Sequence, residues 1–325
     1  MAELFSSLPA EKWPAVDADI PRPLGEEVRE VPGWPARAPL LTNWSKIPRP
    51  SPPMVLVLHA PLALLHHVGA LGFAASNLGL IWLYLLGAHL VLFVVLRGAP
   101  ASMALERAPE LGLTYLLLVS SALHGFYDAF PAAAVVWALV ELKASRPAVA
   151  LFAYCLAAAL HYRAYMLAPI ALVAAAEVIR RRAFTERRNW PWLIGSGLLA
   201  VLSLGTFAMV WRALGGLNDE NPLHGNLGGS TSMVVFGVLA CVVFARARSW
   251  LDVLVVLSLW SFIFTVRQVY LWHAVIPCGW ALAHDDRPAL RTARFVTVLL
   301  MTYAVFRTTM WYPDWLVTWR SQVFG

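Results

Sequence analysis

From residue 54 onward the chain is a succession of apolar runs separated by short polar or basic turns. The runs lie at approximately 54–73, 77–97, 109–124, 129–143, 147–161, 164–180, 191–213, 232–245, 249–267, 269–284 and 293–310. They do not alternate as barrel strands would, and a bilayer core of about 30 Å takes roughly 20 helical residues. The pattern predicts an all-α fold, a polytopic transmembrane helix bundle of about 9–11 spans over 54–325. The short runs near 129–161 are expected to be tilted or half-buried.

Residues 1–53 are a different material, polar and mixed in charge, and hold half of the 22 prolines. Pro21, Pro23, Pro32, Pro35 and Pro39 forbid a long regular helix. With no basic stretch leading into an apolar one, this is not a secretory leader. Trp13, Trp34, Trp44, Leu40 and Leu41 are more than a solvated tail needs. The expectation is a Pro-rich interfacial segment with short helices lying against the membrane face.

Composition agrees: 59% of the 325 residues are hydrophobic and 14% charged, with a mean hydropathy of +0.64. A soluble domain carries about 25% charge, so too few polar residues exist to clothe a globular surface. The net charge of +6 fits basic cytoplasmic loops better than a nucleic-acid partner, which is not expected. Nearly all the positive charge is guanidinium, suited to carboxylate or phosphate. Cys155, Cys241 and Cys278 sit inside apolar runs without metal-ligand spacing, as small buried hydrophobes.

Charge clusters set the orientation. Arg180, Arg181, Arg182, Arg187 and Arg188 form one; Arg246 with Arg248, and Arg287 with Arg291 and Arg294, form others. Placed in the cytoplasm, they leave outside the turns at His124–Phe130 and His161–Tyr165, the loop 215–232, the Arg267/Gln268 junction and the tail Trp311–Trp315. The alternation holds from the third run onward. It fails at the first two, which implies a re-entrant run, a wrongly drawn short span, or a preceding helix lost or separately encoded.

Polar chemistry concentrates on that external side. His124, Tyr127 and Asp128 interrupt two apolar runs, and ionisable groups at such a boundary are functional candidates; the alternative is an interfacial turn with Pro131 opening the next helix. His161, Tyr162, Arg163 and Tyr165 form the next external turn, where Arg163 suits a phosphate or snorkels to headgroups. Asp17 and Asp19 form a DxD that offers two carboxylates to a metal or an acceptor hydroxyl, or is solvated charge. The loop 218–226 suits a cation or a sugar, or is simply flexible. Arg267 and Arg307 face the same choice between lipid phosphate and snorkelling. His59, His66, His67 and His89 lack paired carboxylates and read as packing or interfacial residues.

The order of these features resembles the integral-membrane C-type glycosyltransferases (the GT-C superfamily), the mannosyl- and arabinosyltransferase-like group. The resemblance covers roughly 40–180. It rests on Pro50-Ser-Pro52-Pro53 leading into Ala60-Pro61-Leu62, on His124-Gly-Phe-Tyr127-Asp128 with Pro131, on Lys143-Ala-Ser-Arg146-Pro, and on His161-Tyr-Arg163 before Leu167-Ala-Pro169. It implies transfer of a sugar from a polyprenyl-phosphate donor at the external face. Asp17 or Asp19 would be the general base, with Asp128 holding acceptor or lipid. His124, Tyr127, His161, Arg163 and Arg267 would bind the donor and its departing phosphate. The cofactor is left open, with a divalent cation as one candidate, and the location implied is a bacterial inner (cytoplasmic) membrane. Partners would be the lipid-linked donor, membrane lipid, and a membrane-protein partner or separately encoded N-terminal helix. The family's catalytic loop follows a first transmembrane helix, and none precedes Asp17. The alternative is a non-catalytic membrane subunit or scaffold that binds helices, lipid or a cofactor. A solute transporter lacks support, because no inverted repeat is visible.

Overall fold

The computed structural model describes residues 53–123, 127–213, 249–264, 271–283 and 287–310. Every regular element among them is helical. The α-helices are α1 (Pro53–His67), α2 (Phe73–Gly98), α3 (Ala101–Glu106), α4 (Ala108–Leu123), α5 (Ala129–Lys143), α6 (Pro147–Leu160), α7 (Ala168–Arg180), α8 (Trp190–Ala213), α9 (Trp250–Phe264), α10 (Leu271–Leu282) and α11 (Pro288–Met310). A 3₁₀ turn at Tyr162–Leu167 joins α6 to α7, and two more, Ala183–Thr185 and Arg187–Asn189, join α7 to α8.

Proline marks several helix starts, Pro147 in α6 and Pro169 in α7 among them, where its missing N–H costs nothing. Between α5 and α6 the chain reverses through Ser145 at φ 60°, with Arg146 N–H donating to Glu141 O (2.8 Å) and Ser145 N–H to Leu142 O (3.0 Å). This is the paired closure of a helix C-terminus around a left-handed residue.

Helix α5 is the hub, packing against α2, α4, α6, α7, α9 and α10. Surrounded this way, it has no polar face to spare, and Ala132, Ala133, Ala134, Val135, Val136, Ala138 and Leu139 are all buried. Small side chains let its neighbours approach closely. At Gly98 an added Cβ would lie 2.6 Å from Val140 Cγ2, and at Gly279 2.5 Å from Leu254 Cδ2.

Helices α1 and α2 form an antiparallel hairpin, fixed by His59 against Tyr84, Leu62 against Gly79 and Ser76 against His66. From Tyr84, α2 continues 14 residues to Gly98, about 21 Å, whereas α1 reaches back only six residues from His59 to Pro53, about 9 Å. Pro53 therefore lies about 12 Å short of the Gly98 end of α2. The run drawn over 54–73 is cut short at His67, because Gly69 takes a left-handed conformation at φ 74°.

The outer surface is apolar. Trp82, Leu86, Phe93 and Leu96 on α2, Ile194, Leu198 and Val201 on α8, and Phe295, Leu299 and Tyr303 on α11 are exposed at helical spacing. One helix among the described residues is long and apolar enough to cross a membrane, over Leu78–Gly98, while Ala108–Leu123, Pro147–Leu160 and His273–Leu282 are shorter apolar helices. An apolar exterior of this extent calls for an apolar surrounding.

Candidate functional site

At one end of the hub, the turn entering α5 meets the turn leaving α6. Asp128 is the N-cap of α5, where a carboxylate also complements the helix dipole. His161 is the C-cap of α6, in extended conformation (φ −153°, ψ 125°), with its N–H donating to Ala157 O at 2.8 Å. The following 3₁₀ turn is pinned by Tyr154, whose hydroxyl donates to Ala164 O (2.8 Å), and by Ala164 N–H donating to His161 O (2.9 Å). These restraints bring His161 Nε2 to 3.4 Å from Asp128 Oδ1, with the two side chains 18% and 16% exposed. The pair is thus mostly enclosed but open to the outside. Ser121, near the end of α4, donates a long hydrogen bond to the other carboxylate oxygen (3.5 Å).

Tyr127 stands between two imidazoles, its ring 5.6 Å from that of His161 and 5.6 Å from that of His59, the latter edge-on at 87°. Behind it lies a fully enclosed pair. Tyr84 and His59 are 0% and 1% exposed, and they bond at 2.8 Å between Oη and Nε2. His59 Nδ1 lies 2.9 Å from Val55 O. A carbonyl only accepts, so Nδ1 carries the proton, Nε2 is an acceptor, and Tyr84 is the donor. The tautomer of His59 is fixed by its own helix.

The turn entering α5 and the turn leaving α6 therefore adjoin through Tyr127, Asp128 and His161. Arg163 lies two residues beyond His161 in the 3₁₀ turn; its side chain is outside the described part, as are residues His124, Asp17, Asp19 and Arg267. The loop 218–226, the run 232–245, Arg246, Arg248 and the tail Trp311–Trp315 also lie outside the described residues. Sequence reasoning took His59 as a packing or interfacial residue and passed over Tyr84 and Ser121. Each sits inside an apolar run, and only the α1–α2 hairpin brings His59 to a tyrosine 25 residues away. His89, by contrast, is on an exposed face of α2, with Nδ1 donating to Leu85 O (2.7 Å) and Nε2 accepting from Tyr115 Oη (3.3 Å). Among the described residues no three His, Cys, Asp or Glu converge as ligands of a metal ion would.

The other end of the hub is basic. Lys143 Nζ donates to Gly98 O (3.1 Å), Arg146 pairs with Glu141 (3.2 Å), and Glu177 holds both Arg180 (2.7 Å) and Arg181 (2.6 Å). Arg287 precedes α11 as a loop charge, but Arg291 and Arg294, drawn above in the same way, require correction. Arg291 and Arg294 lie within α11, and Arg294 reaches across to Glu110, a carboxylate only 2% exposed at the start of α4. A buried acid next to α11 captures the guanidinium that would otherwise turn to solvent.

A carboxylate oriented by a histidine and a serine, beside a phenol, can accept a proton from a hydroxyl, hold a hydroxyl in place or bind a cation. Comparison with known proteins returns no matching family model, no matching curated protein and no matching solved structure.

Proposed function

We propose that the chain is a multi-pass protein of a bacterial inner membrane that moves a sugar from a polyprenyl-phosphate donor to an acceptor at the external face. One observation carries the reading. Asp128 and His161, from turns 33 residues apart in sequence, meet at 3.4 Å beside Tyr127, at the end of an apolar bundle opposite Lys143, Arg146, Arg180 and Arg181. Ionisable groups gathered at such a boundary are rare and mark a functional site by default.

In the reaction, the acceptor hydroxyl gives its proton to a carboxylate as its oxygen bonds the anomeric carbon. The bond from that carbon to the phosphate oxygen breaks, and polyprenyl phosphate leaves with the electron pair. Asp17 or Asp19 takes the proton, and Asp128, oriented by His161, holds the acceptor. Tyr127 and Arg163, with His124 and Arg267, donate to the departing phosphate, where preorganised donors in a water-poor site are most effective.

The test has two stages. Resistance of the membrane-bound chain to alkaline carbonate extraction establishes its residence. Membranes holding wild type, Asp17→Asn/Asp19→Asn, Asp128→Asn or His161→Ala are then assayed with a polyprenyl-phosphate sugar. Loss of more than tenfold in transfer, about 1.4 kcal/mol or above, is expected for each variant. Equal transfer by wild type and all variants refutes the reading. No transfer by any of them, with a stoichiometric partner or a coloured preparation on purification, identifies a membrane subunit instead.

A further inference from the structure

The loop between α7 and α8 presents a surface that the transfer reaction does not use. It is a built surface. Ala183 is buried against Ala148 and Val178, Asn189 Nδ2 donates to Ala183 O (2.9 Å), and Thr185 Oγ1 donates to Arg182 O (2.8 Å). Its acids are already committed, since Glu177 takes Arg180 and Arg181, and Glu186 takes Arg188 at 2.7 Å. Arg182 and Arg187 are left exposed, and among the described residues neither has an ion pair or side-chain hydrogen bond.

Beside these two guanidiniums, Ile179, Phe184 and Trp190 are 69%, 51% and 52% exposed. Trp190 Nε1 donates to Phe184 O (2.9 Å), so the indole has satisfied its one donor within the loop and turns its apolar body outward. From Trp190 the outward apolar positions continue down α8 through Ile194, Leu198 and Val201. A stripe that begins in arginine and tryptophan and runs on into aliphatic side chains matches the profile of a lipid leaflet from headgroup to acyl chain.

We infer that this loop, through Arg182 and Arg187 with Trp190 as apolar anchor, is a binding surface for the phosphate headgroup of an anionic phospholipid. The inference rests on the placement of α8 in a bilayer and not on sugar transfer. Arginines near an anionic surface are attracted to it, and the attraction is screened by salt.

The experiment measures binding of fluorescent phosphatidylglycerol to the full chain in neutral detergent. Arg182 has a left-handed backbone, φ 52°, which glycine adopts freely. Arg182→Gly with Arg187→Gln therefore keeps the turn and is expected to weaken binding at least tenfold. Trp190→Ser is expected to weaken it as well, and 0.5 M salt to do so for wild type. Arg291→Gln, which removes an exposed arginine from α11, should change affinity less than twofold. Unchanged affinity in the double variant overturns the inference. So does an equal loss in Arg291→Gln, or displacement of the probe by inorganic phosphate or phosphatidylcholine at matched concentration. Transfer by the double variant should stay at the wild-type level, so a failure here leaves the transferase reading standing.

Discussion

The His59–Tyr84 bond predicts a specific non-additivity. Both side chains are sealed from water, so removing one partner strands the other. Tyr84→Phe leaves His59 Nε2 an acceptor without a donor, and His59→Leu leaves the Tyr84 hydroxyl a donor without an acceptor. Each single change should cost about 2 kcal/mol, the penalty of an unsatisfied buried polar group. The double variant replaces both groups with apolar side chains and strands nothing, so it should cost about as much as either alone. The coupling is then about 2 kcal/mol, within the range for residues in direct contact. Unfolding by SDS in mixed micelles, followed by far-UV circular dichroism, measures all four corners of the cycle. Single costs that add to within about 0.5 kcal/mol would refute the reasoning, because the two groups would then not depend on each other. Transfer separates the partners further. His59 packs edge-on against Tyr127, so His59→Leu should lower kcat, whereas Tyr84→Phe, which keeps both rings, should lower it less.

Two further predictions concern packing and charge. Gly98→Ala should destabilise by about 1–3 kcal/mol, the usual cost of overpacking, since its Cβ would meet the stiff branch of Val140 at 2.6 and 2.9 Å. Gly112→Ala should instead stabilise by about 0.5–1 kcal/mol, because its Cβ meets nothing within 4 Å in α4; equal midpoints for the two variants in the same SDS titration would contradict both. Arg294→Met should cost about 1–3 kcal/mol by removing the charged donor to the buried Glu110 carboxylate, which keeps only the nearby charge of Arg107, and adding Glu110→Gln should recover most of that loss. Failure of the second substitution to recover stability would show that the guanidinium acts by packing rather than by charge.

Helices with polar punctuation were legible, and those without it were less so. The runs drawn at 129–143 and 147–161 coincide with α5 and α6 because Asp128, Lys143, Arg146 and Pro147 bracket them. The run at 164–180 hid a break: Pro169 starts α7 only after the 3₁₀ turn that carries Arg163 and Tyr165. The short α3, six residues long, gave no periodic signal of its own. In the site, Tyr127, Asp128 and His161 were visible because they interrupt apolar runs. His59 and Tyr84 were not, because their hydrogen bond depends on a hairpin register that hydropathy does not encode. Arg294 was misread as a loop charge because its partner, Glu110, is 184 residues away.

The position of the site follows from the packing of α5. A helix packed on several sides leaves little room for an ionisable group along its middle, so charge is confined to its two ends. Asp128 at the N-cap and Lys143 in the last turn agree in sign with the helix dipole, whereas the buried Glu141 opposes it and is paired with Arg146; Asp128 is tied to His161 beyond α6 and Lys143 to Gly98 at the end of α2. A slip of α5 by one turn is about 5.4 Å, which would carry Asp128 out of reach of His161 and Lys143 away from Gly98 together. The close pairing of α5 with α6, both lined with buried alanines, opposes that slip. The geometry of the polar turn is therefore set by the apolar residues several turns away, and bulky substitutions along that seam would act on the site without touching it.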